Sequence, residues 1–457
     1  MRAVTGVLLT FALLVASTFA ADCDTKNNFT GPENTIPVDL SNPVYVRSVQ
    51  NGDLYTVGAN ENDRVHLLHV YGSTGYEFGF AAGQLLGPEM NSTLQTAYDY
   101  FGSQIMQAAK GIIDKYHIPP AIADMIVDKG LDFVLDWQAA EAKPFMDPSI
   151  FDEMRGMAAA AGIDYKMILR VHMIGEVTRG ACSYYGLFKS MTLDGKTLQL
   201  RALDWDTGAG LQNHPTVTVY HPAPGSSLGV PFANVGWAGW IGTLTGMSSN
   251  RIGISEIGIS YPDSTFGKES FVGIPFVFLE RQIVQRASDV FDAMDMIKNA
   301  NRTCDLVLGV ADGRHETARM VQYSYSVANV MTPQNQMPLA WWHPRIEDAV
   351  YLAMDWICPY YQHIMARQLT AMAGRITPEL SIRNITAVVR TGSLHVAVMD
   401  LTDNMLYVAN ARGNQDTAGE PDAFARQFLR LNMTVAYNKP PVLTQAPTPS
   451  PADAGSV

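Results

Sequence analysis

The sequence predicts an α+β protein, and three observations carry that prediction. Over 89–137 and again over 148–178 the apolar residues recur at helical spacing. After Cys182 the texture turns to short runs rich in aromatic, β-branched and leucine residues, separated by frequent turns. Helical patterns then return between those runs, at 276–285, 288–299 and 361–374, which interleaves strands and helices in a layered architecture.

Each element has a local reason. Residues 1–20 carry one basic residue, Arg2, then a short apolar run and small residues before Ala21. That is the pattern of a secretory signal peptide, and the run falls short of a comfortable bilayer span. In the 89–137 pattern, Pro119-Pro120 ends one helix and starts the next. A helix over 148–161 begins at Pro148 and is closed by Gly162, and 165–178 reads as a further helix leading toward Cys182. Strands are expected at 183–190 and 197–205, joined at the turn Asp194-Gly195. Others follow at 216–221, 232–237, 241–245, 252–259, 306–310, 387–390, 394–400 and 405–409. The chain thus divides into a signal peptide (1–20), a mostly helical part (21–181), a mixed part (182–438) and a Pro/Ala/Ser/Thr-rich tail (439–457) expected to be disordered.

Composition narrows the partners. A formal net charge of -12 with no basic block argues against nucleic acid. There is no Gly-rich phosphate loop, HExxH or CxxC, so neither nucleotide nor metal cofactor is implied. Five sequons, at Asn28, Asn91, Asn301, Asn384 and Asn432, suit passage through a glycosylating secretory pathway. Four cysteines, Cys23, Cys182, Cys304 and Cys358, allow three pairings into two disulfides. If Cys182 is a nucleophile, Cys304 and Cys358 are the natural pair in the second half and Cys23 is left over.

The chemistry concentrates at Gly180-Ala181-Cys182-Ser183, with Arg201 and Asp204 on the expected partner strand. Only a thiolate is nucleophilic, and Arg201 supplies a permanent positive charge to favour it. No histidine lies near enough in sequence to be assigned as base, and the local signatures of papain-like and caspase-like proteases are absent. An α-amino group on the nucleophile itself titrates near neutrality and reaches its own side chain. That requires a cut at Ala181-Cys182, where small Gly180 and Ala181 leave room for the thiol to attack the preceding carbonyl. Asp204 would then pair with the freed amine. Residues 201 and 204 face opposite sides of a regular strand, so a bend or bulge near Leu203 is expected unless one reaches round the strand end.

Cys182-Ser183 followed by Arg201-x-x-Asp204 resembles the N-terminal-nucleophile (Ntn) hydrolases that act on linear amides. These include acid ceramidase, N-acylethanolamine acid amidase, the bile-salt (cholylglycine) hydrolases and the penicillin acyltransferases. The stretch from His69 to Gly79 with Ala82-Gly83-Gln84-Leu85 is similar to the opening of the acyltransferase branch. Gly242-Thr243-Leu244-Thr245-Gly246-Met247 leading into Ile254-Ser255-Glu256 is similar to a strand pair of acid ceramidase. The resemblance implies a four-layer αββα sandwich, with a mostly helical fragment that stays associated after self-cleavage. It implies Cys182 as nucleophile, Arg201 at the substrate carbonyl and Glu256 ordering the site. It also implies an oxyanion-hole backbone donor at Ser248, where the bile-salt hydrolases carry asparagine. An oxyanion-hole side chain falls at Asn335, ahead of His343-Pro344 as in acid ceramidase but at slightly different spacing.

The activity so implied is cleavage of a linear, fatty N-acyl amide through a Cys182 thioester, without a cofactor. The compartment would be secreted or lysosomal, with contact to a small-molecule or lipid amide and to a membrane surface. Phe232, Trp237, Trp240, Met247, Trp341 and Trp342 suit an acyl chain. Two alternatives stay open: an acyltransferase that hands the acyl group to an amine, and a non-catalytic secreted glycoprotein with Cys182 in a disulfide.

Overall fold

The computed structural model describes residues 30–111, 118–178, 180–259, 262–336, 343–354, 356 and 359–442. Among them the strands are β1 (Val44–Val49), β2 (Gly52–Val57), β3 (Val65–Gly72), β4 (Ala181–Lys189), β5 (Gly195–Asp204), β6 (Pro215–Pro222), β7 (Phe232–Trp237), β8 (Thr245–Ser248), β9 (Ile252–Ile257), β10 (Leu306–Asp312), β11 (Thr317–Tyr323), β12 (Ala328–Met331), β13 (Ala349–Leu352), β14 (His395–Asp400), β15 (Met405–Asn410) and β16 (Leu429–Asn432). They build a ten-stranded sheet, β1-β2-β3-β6-β7-β8-β9-β10-β11-β12, and a six-stranded sheet, β13-β4-β5-β14-β15-β16. Within the sheets β3 and β6 run parallel, and the other paired strands are antiparallel.

The principal helices are α1 (Gly75–Ala109), α2 (Pro120–Lys129), α3 (Leu131–Ala142), α4 (Pro148–Ala161), α5 (Tyr165–Val177), α6 (Phe276–Arg286), α7 (Val290–Asn299) and α8 (Pro359–Met372). The sheets pack face to face, β4 and β5 against β9 and β10. Helices α1, α6 and α7 cover the outer face of the larger sheet. Ile364, Met365 and Leu369 of α8, with Ile382 and Ile385, bury Tyr185, Leu198, Leu200 and Val398 on the outer face of the smaller one. The layer order is helix, sheet, sheet, helix, as the resemblance implies. Strands β7, β9 and β10 bury both faces, which is why they read as near-continuous apolar runs.

Several local expectations need correction. Helix α1 starts at Gly75, well before residue 89, from a capping box between Thr74 and Glu77, and continues through Pro88 past non-helical dihedrals at Leu86. Its glycines serve packing: a Cβ at Gly75 or Gly79 would overlap carbonyl oxygens of Ser149 and Glu153 on α4. Residues 241–244 form a loop and the strand begins at Thr245, because the Asn234 amide holds the carbonyls of Trp240 (3.2 Å) and Gly242 (2.9 Å). Residues 387–389 are helical, following a π-turn over Ser381–Thr386, rather than extended. Ahead of Cys182 the chain contributes β1, β2 and β3 as well as helices, so the part expected to be mostly helical also supplies three strands of the main sheet. The signal peptide, Asn28, Cys23, Cys358 and hence the Cys304–Cys358 pairing, Trp341, Trp342 and the tail beyond 442 lie outside the described residues. Among the described residues no helix is long and apolar enough to cross a membrane.

Candidate active site

The hairpin β4–β5 positions the thiol. Residues 190–194 join the strands, and Asp194 and Gly195 both take positive φ, 61° and 73°, at the point where the chain re-enters the ladder opposite Lys189. The register runs without a shift through Tyr184↔Arg201, Cys182↔Leu203 and Ala181↔Asp204. The bend expected near Leu203 is therefore absent, and the other option holds. Cys182 and Arg201 share the face toward the larger sheet, while Asp204 lies on the other face at the strand end, directly opposite Ala181.

On the inner face Arg201 is fully buried. Its Nη2 donates to Glu256 Oε2 at 2.8 Å and approaches Cys182 Sγ at 3.8 Å, and its Nε donates to the Glu256 carbonyl at 3.2 Å. The thiol in turn lies 3.8 Å from Glu256 Oε2 as donor. Cys182 is a free thiol, buried at 1% exposure, which sets aside the reading of it as a half-cystine. Burial pushes its pKa well up and the Glu256 charge adds to this, while Arg201 and the Gly258 backbone N–H oppose it. Burial likewise raises the Glu256 carboxyl against the pull of Arg201.

On the outer face Asp204 accepts hydrogen bonds from Thr391 Oγ1 (2.7 Å) and the backbone N–H groups of Gly392 and Ser393 (2.9 Å each). Burial outweighs these bonds and raises the carboxyl to about 6. Thr391 Oγ1 also meets Ser183 Oγ at 2.6 Å, which ties the residue after the nucleophile to the carboxylate.

A cavity of about 40 Å³ touches Cys182 and Glu256 and is walled by Leu203, Trp205, Trp240, Leu244, Phe276 and Val277. It holds a few waters at most. Gly175, Thr178 and Gly180 close it from the side of the chain that precedes the nucleophile.

The structure brings Cys182, Arg201, Glu256, Asp204 and Ala181 together but not Ser248 or Asn335. Ser248 ends β8, buried opposite Phe232, and does not line the cavity; Leu244, from the loop leading up to β8, lines it instead. Asn335 sits in an exposed turn closed on Thr332, and His343 bonds the Tyr351 carbonyl. Of the described aromatic candidates Trp240 lines the cavity, whereas Phe232 stacks on Tyr220 and Trp237 packs edge-on to Trp240. Sequence reasoning missed Gly258, whose N–H faces the sulfur and whose missing Cβ would lie 3.0 Å from Gly180 N and 3.1 Å from Glu256 Oε1. A glycine inside a strand-like run is the available signal for such a close approach.

Two buried imidazoles flank the site without bonding the thiol. His172 faces the Ile168 carbonyl at 2.7 Å through Nδ1 and accepts from Ile241 N–H at 2.9 Å through Nε2, so it is neutral, and burial lowers it to about 4. Burial lowers His395, close to Arg201, to about 3. Among the described residues no cluster of three His, Cys, Asp or Glu side chains is placed to hold a metal. Asn91, Asn301 and Asn432 are exposed, while Asn384 is half-buried with its amide donating to Glu33.

No family model matches the chain. Among solved structures it is similar to a Caenorhabditis elegans N-acylethanolamine-hydrolyzing acid amidase ortholog (15% identity, 55% of this chain and 100% of that one, TM-score 0.37). It is also similar to penicillin V acylase from Agrobacterium tumefaciens (14%, 55% and 86%, TM-score 0.35). Likenesses this low carry no conclusion about chemistry. Among curated proteins, it is 34% identical over 427 residues to protein dcd1A of Dictyostelium discoideum, covering 90% of this chain and 94% of the relative. Protein dcd1B of the same organism is 32% identical over 419 residues, with 89% and 81% covered. With identity at this level along nearly the whole of both chains, this protein belongs to the family of the Dictyostelium discoideum proteins dcd1A and dcd1B.

Proposed function

We propose that the chain is an Ntn cysteine amidase, secreted or lysosomal, that processes itself at Ala181-Cys182 and then hydrolyses a linear N-acyl amide with an apolar acyl group. The observation that carries this reading is the pair of placements around one strand end: a buried guanidinium within 3.8 Å of the thiol, and a carboxylate opposite the residue that precedes it. The Cys182-Ser183 and Arg201-x-x-Asp204 resemblance supports the same assignment.

In the uncut chain Sγ attacks the Ala181 carbonyl carbon and the peptide C–N bond breaks, leaving a thioester and a free α-amine. Water then cleaves the thioester to the Ala181 carboxylate and the thiol. Departure of the segment ending at Ala181 removes the wall formed by Thr178 and Gly180 and uncovers Asp204, which holds the new α-amino group in place. In turnover the neutral amine takes the thiol proton, the thiolate attacks the substrate carbonyl, and the leaving amine departs with that proton. Water releases the acid from the second thioester. Trp205, Trp240, Leu244 and Phe276 supply apolar surface for the acyl group.

The test is Cys182→Ala beside Cys182→Ser. The alanine variant should remain one chain and release no acid from N-acyl amides of increasing acyl length. An alanine variant with wild-type turnover would contradict the proposal.

A further inference from the structure

Helix α6 carries a titratable group that this reaction leaves unused. Glu280 is fully buried and stands one turn beyond Phe276 and Val277, which line the thiol cavity, so it shares their helix face. Neither of its carboxyl oxygens has a hydrogen-bond partner among the described residues, and the Nη1 of Arg201 is likewise buried without one. The charges acting on it are Glu256, which opposes its ionisation, and Arg201, which favours it. The helix holds it there: Phe276 N–H donates to Glu176 Oε1 (2.8 Å), Thr243 N–H to the Val277 carbonyl (2.9 Å) and Arg281 Nη1 to the Ile241 carbonyl (2.7 Å).

The neighbouring elements offer it nothing else. Strand β8 has no titratable side chain. From α5, His172 is taken by Ile168 and Ile241, and Glu176 accepts from Phe276. On α7 Asp292 bonds Ser288, and Asp295 and Lys298 are exposed. The adjacent Arg281 is paired with Glu153 at 2.9 Å. A carboxylate buried without a hydrogen bond or its own counter-charge is far costlier than the neutral acid. Burial accordingly raises the Glu280 pKa well above the usual carboxylate range.

We propose that Glu280 is a positioning residue that keeps its proton, so that the thiol site holds one carboxylate, Glu256, against one guanidinium, Arg201, and Cys182 ionises against that pair alone. An ionised Glu280 would add a second negative charge behind Glu256, and by reciprocity its ionisation and that of the thiol oppose each other. The inference rests on Cys182 being the reactive thiol, but its tests need no turnover.

Glu280→Gln keeps the size and removes the titration; Glu280→Leu serves if the glutamine variant does not fold. Iodoacetamide alkylation of Cys182, followed across pH by mass spectrometry of the peptide containing it, reads thiol ionisation. Both replacements are neutral, as the protonated acid is, so either variant should leave the midpoint within a few tenths of a pH unit of the wild type. A midpoint lowered by about one pH unit, roughly tenfold faster alkylation at a fixed pH below it, would reveal a second negative charge beside the thiol and overturns the proposal.

The second reading is unfolding stability against pH, in Cys182→Ala with and without Glu280→Gln. The folded carboxyl value lies above the unfolded one, so the stability Glu280 contributes is fully present below the unfolded value and lost as pH rises through the folded one. That decline should be missing with glutamine, and identical slopes overturn the proposal. A chain that gives both expected results yet cleaves no amide would defeat the amidase reading and leave the charge arrangement standing.

Discussion

Gly258 bears on the nucleophile more directly than its neighbours in sequence suggest, because its backbone is wedged between Gly180 and the Glu256 carboxyl. Adding a methyl group forces the Gly180 backbone or Glu256 to shift by a few tenths of an ångström. Gly258→Ala should therefore slow chain scission by about 10²-fold with the circular dichroism spectrum unchanged. Scission at the wild-type rate would show that the close approach is incidental. At this scale the placing together of Cys182, Arg201, Asp204 and Glu256 was legible, because motif spacing survives wherever strand pairing is regular, as it is from Ala181 to Leu187. Ser248 and Asn335 were not, because each was placed by the offset to a neighbouring motif across a loop. Loop lengths drift while the strands they join stay put.

The elements are held together across the proposed cut by one buried cluster. Glu153 on α4 pairs with Arg281 on α6 at 2.9 Å and accepts from the Tyr220 hydroxyl at 2.8 Å, with the guanidinium 3.9 Å from the Tyr220 ring centroid. Burial raises the Glu153 carboxyl while Arg281 opposes it. Arg281→Met leaves that carboxylate stranded and should lower unfolding stability by about 3–5 kcal/mol, measured by denaturant titration in the Cys182→Ala background. Adding Glu153→Gln should recover part of the loss; a single variant as stable as its parent would show that the pair is not a clamp. Element existence was readable for α4, where the apolar period agrees with the Asp147 cap and Gly162 at its end, and for α6 and β7 from their apolar patterns. It was misread at 387–390, where β-branched residues sit in a helical turn packed under the smaller sheet, and at the start of α1, where the Thr74–Glu77 capping box lies well ahead of residue 89.

At the scale of the molecule, the proposed cut does not follow a boundary of the fold. Strands β1 to β3 precede Cys182 yet belong to the same sheet as β6 to β12, and β3 pairs with β6 over seven residue pairs, His66↔Thr216 to Gly72↔Pro222. The two fragments should therefore co-elute in gel filtration after scission and part only in denaturant. Separation under native conditions would mean the shared sheet does not hold them. The α+β class followed from local patterns, whereas the order of the four layers came with the resemblance. Which faces of buried strands meet is a tertiary fact that near-continuous apolar runs do not encode.

The central claim is that an interior cysteine becomes a chain terminus. Denaturing mass analysis of the mature protein, joined to N-terminal sequencing, tests it most directly. The account predicts two polypeptides, one of which begins at Cys182, and a single chain in Cys182→Ala. A wild-type molecule that hydrolyses its amide as one unbroken polypeptide would contradict it.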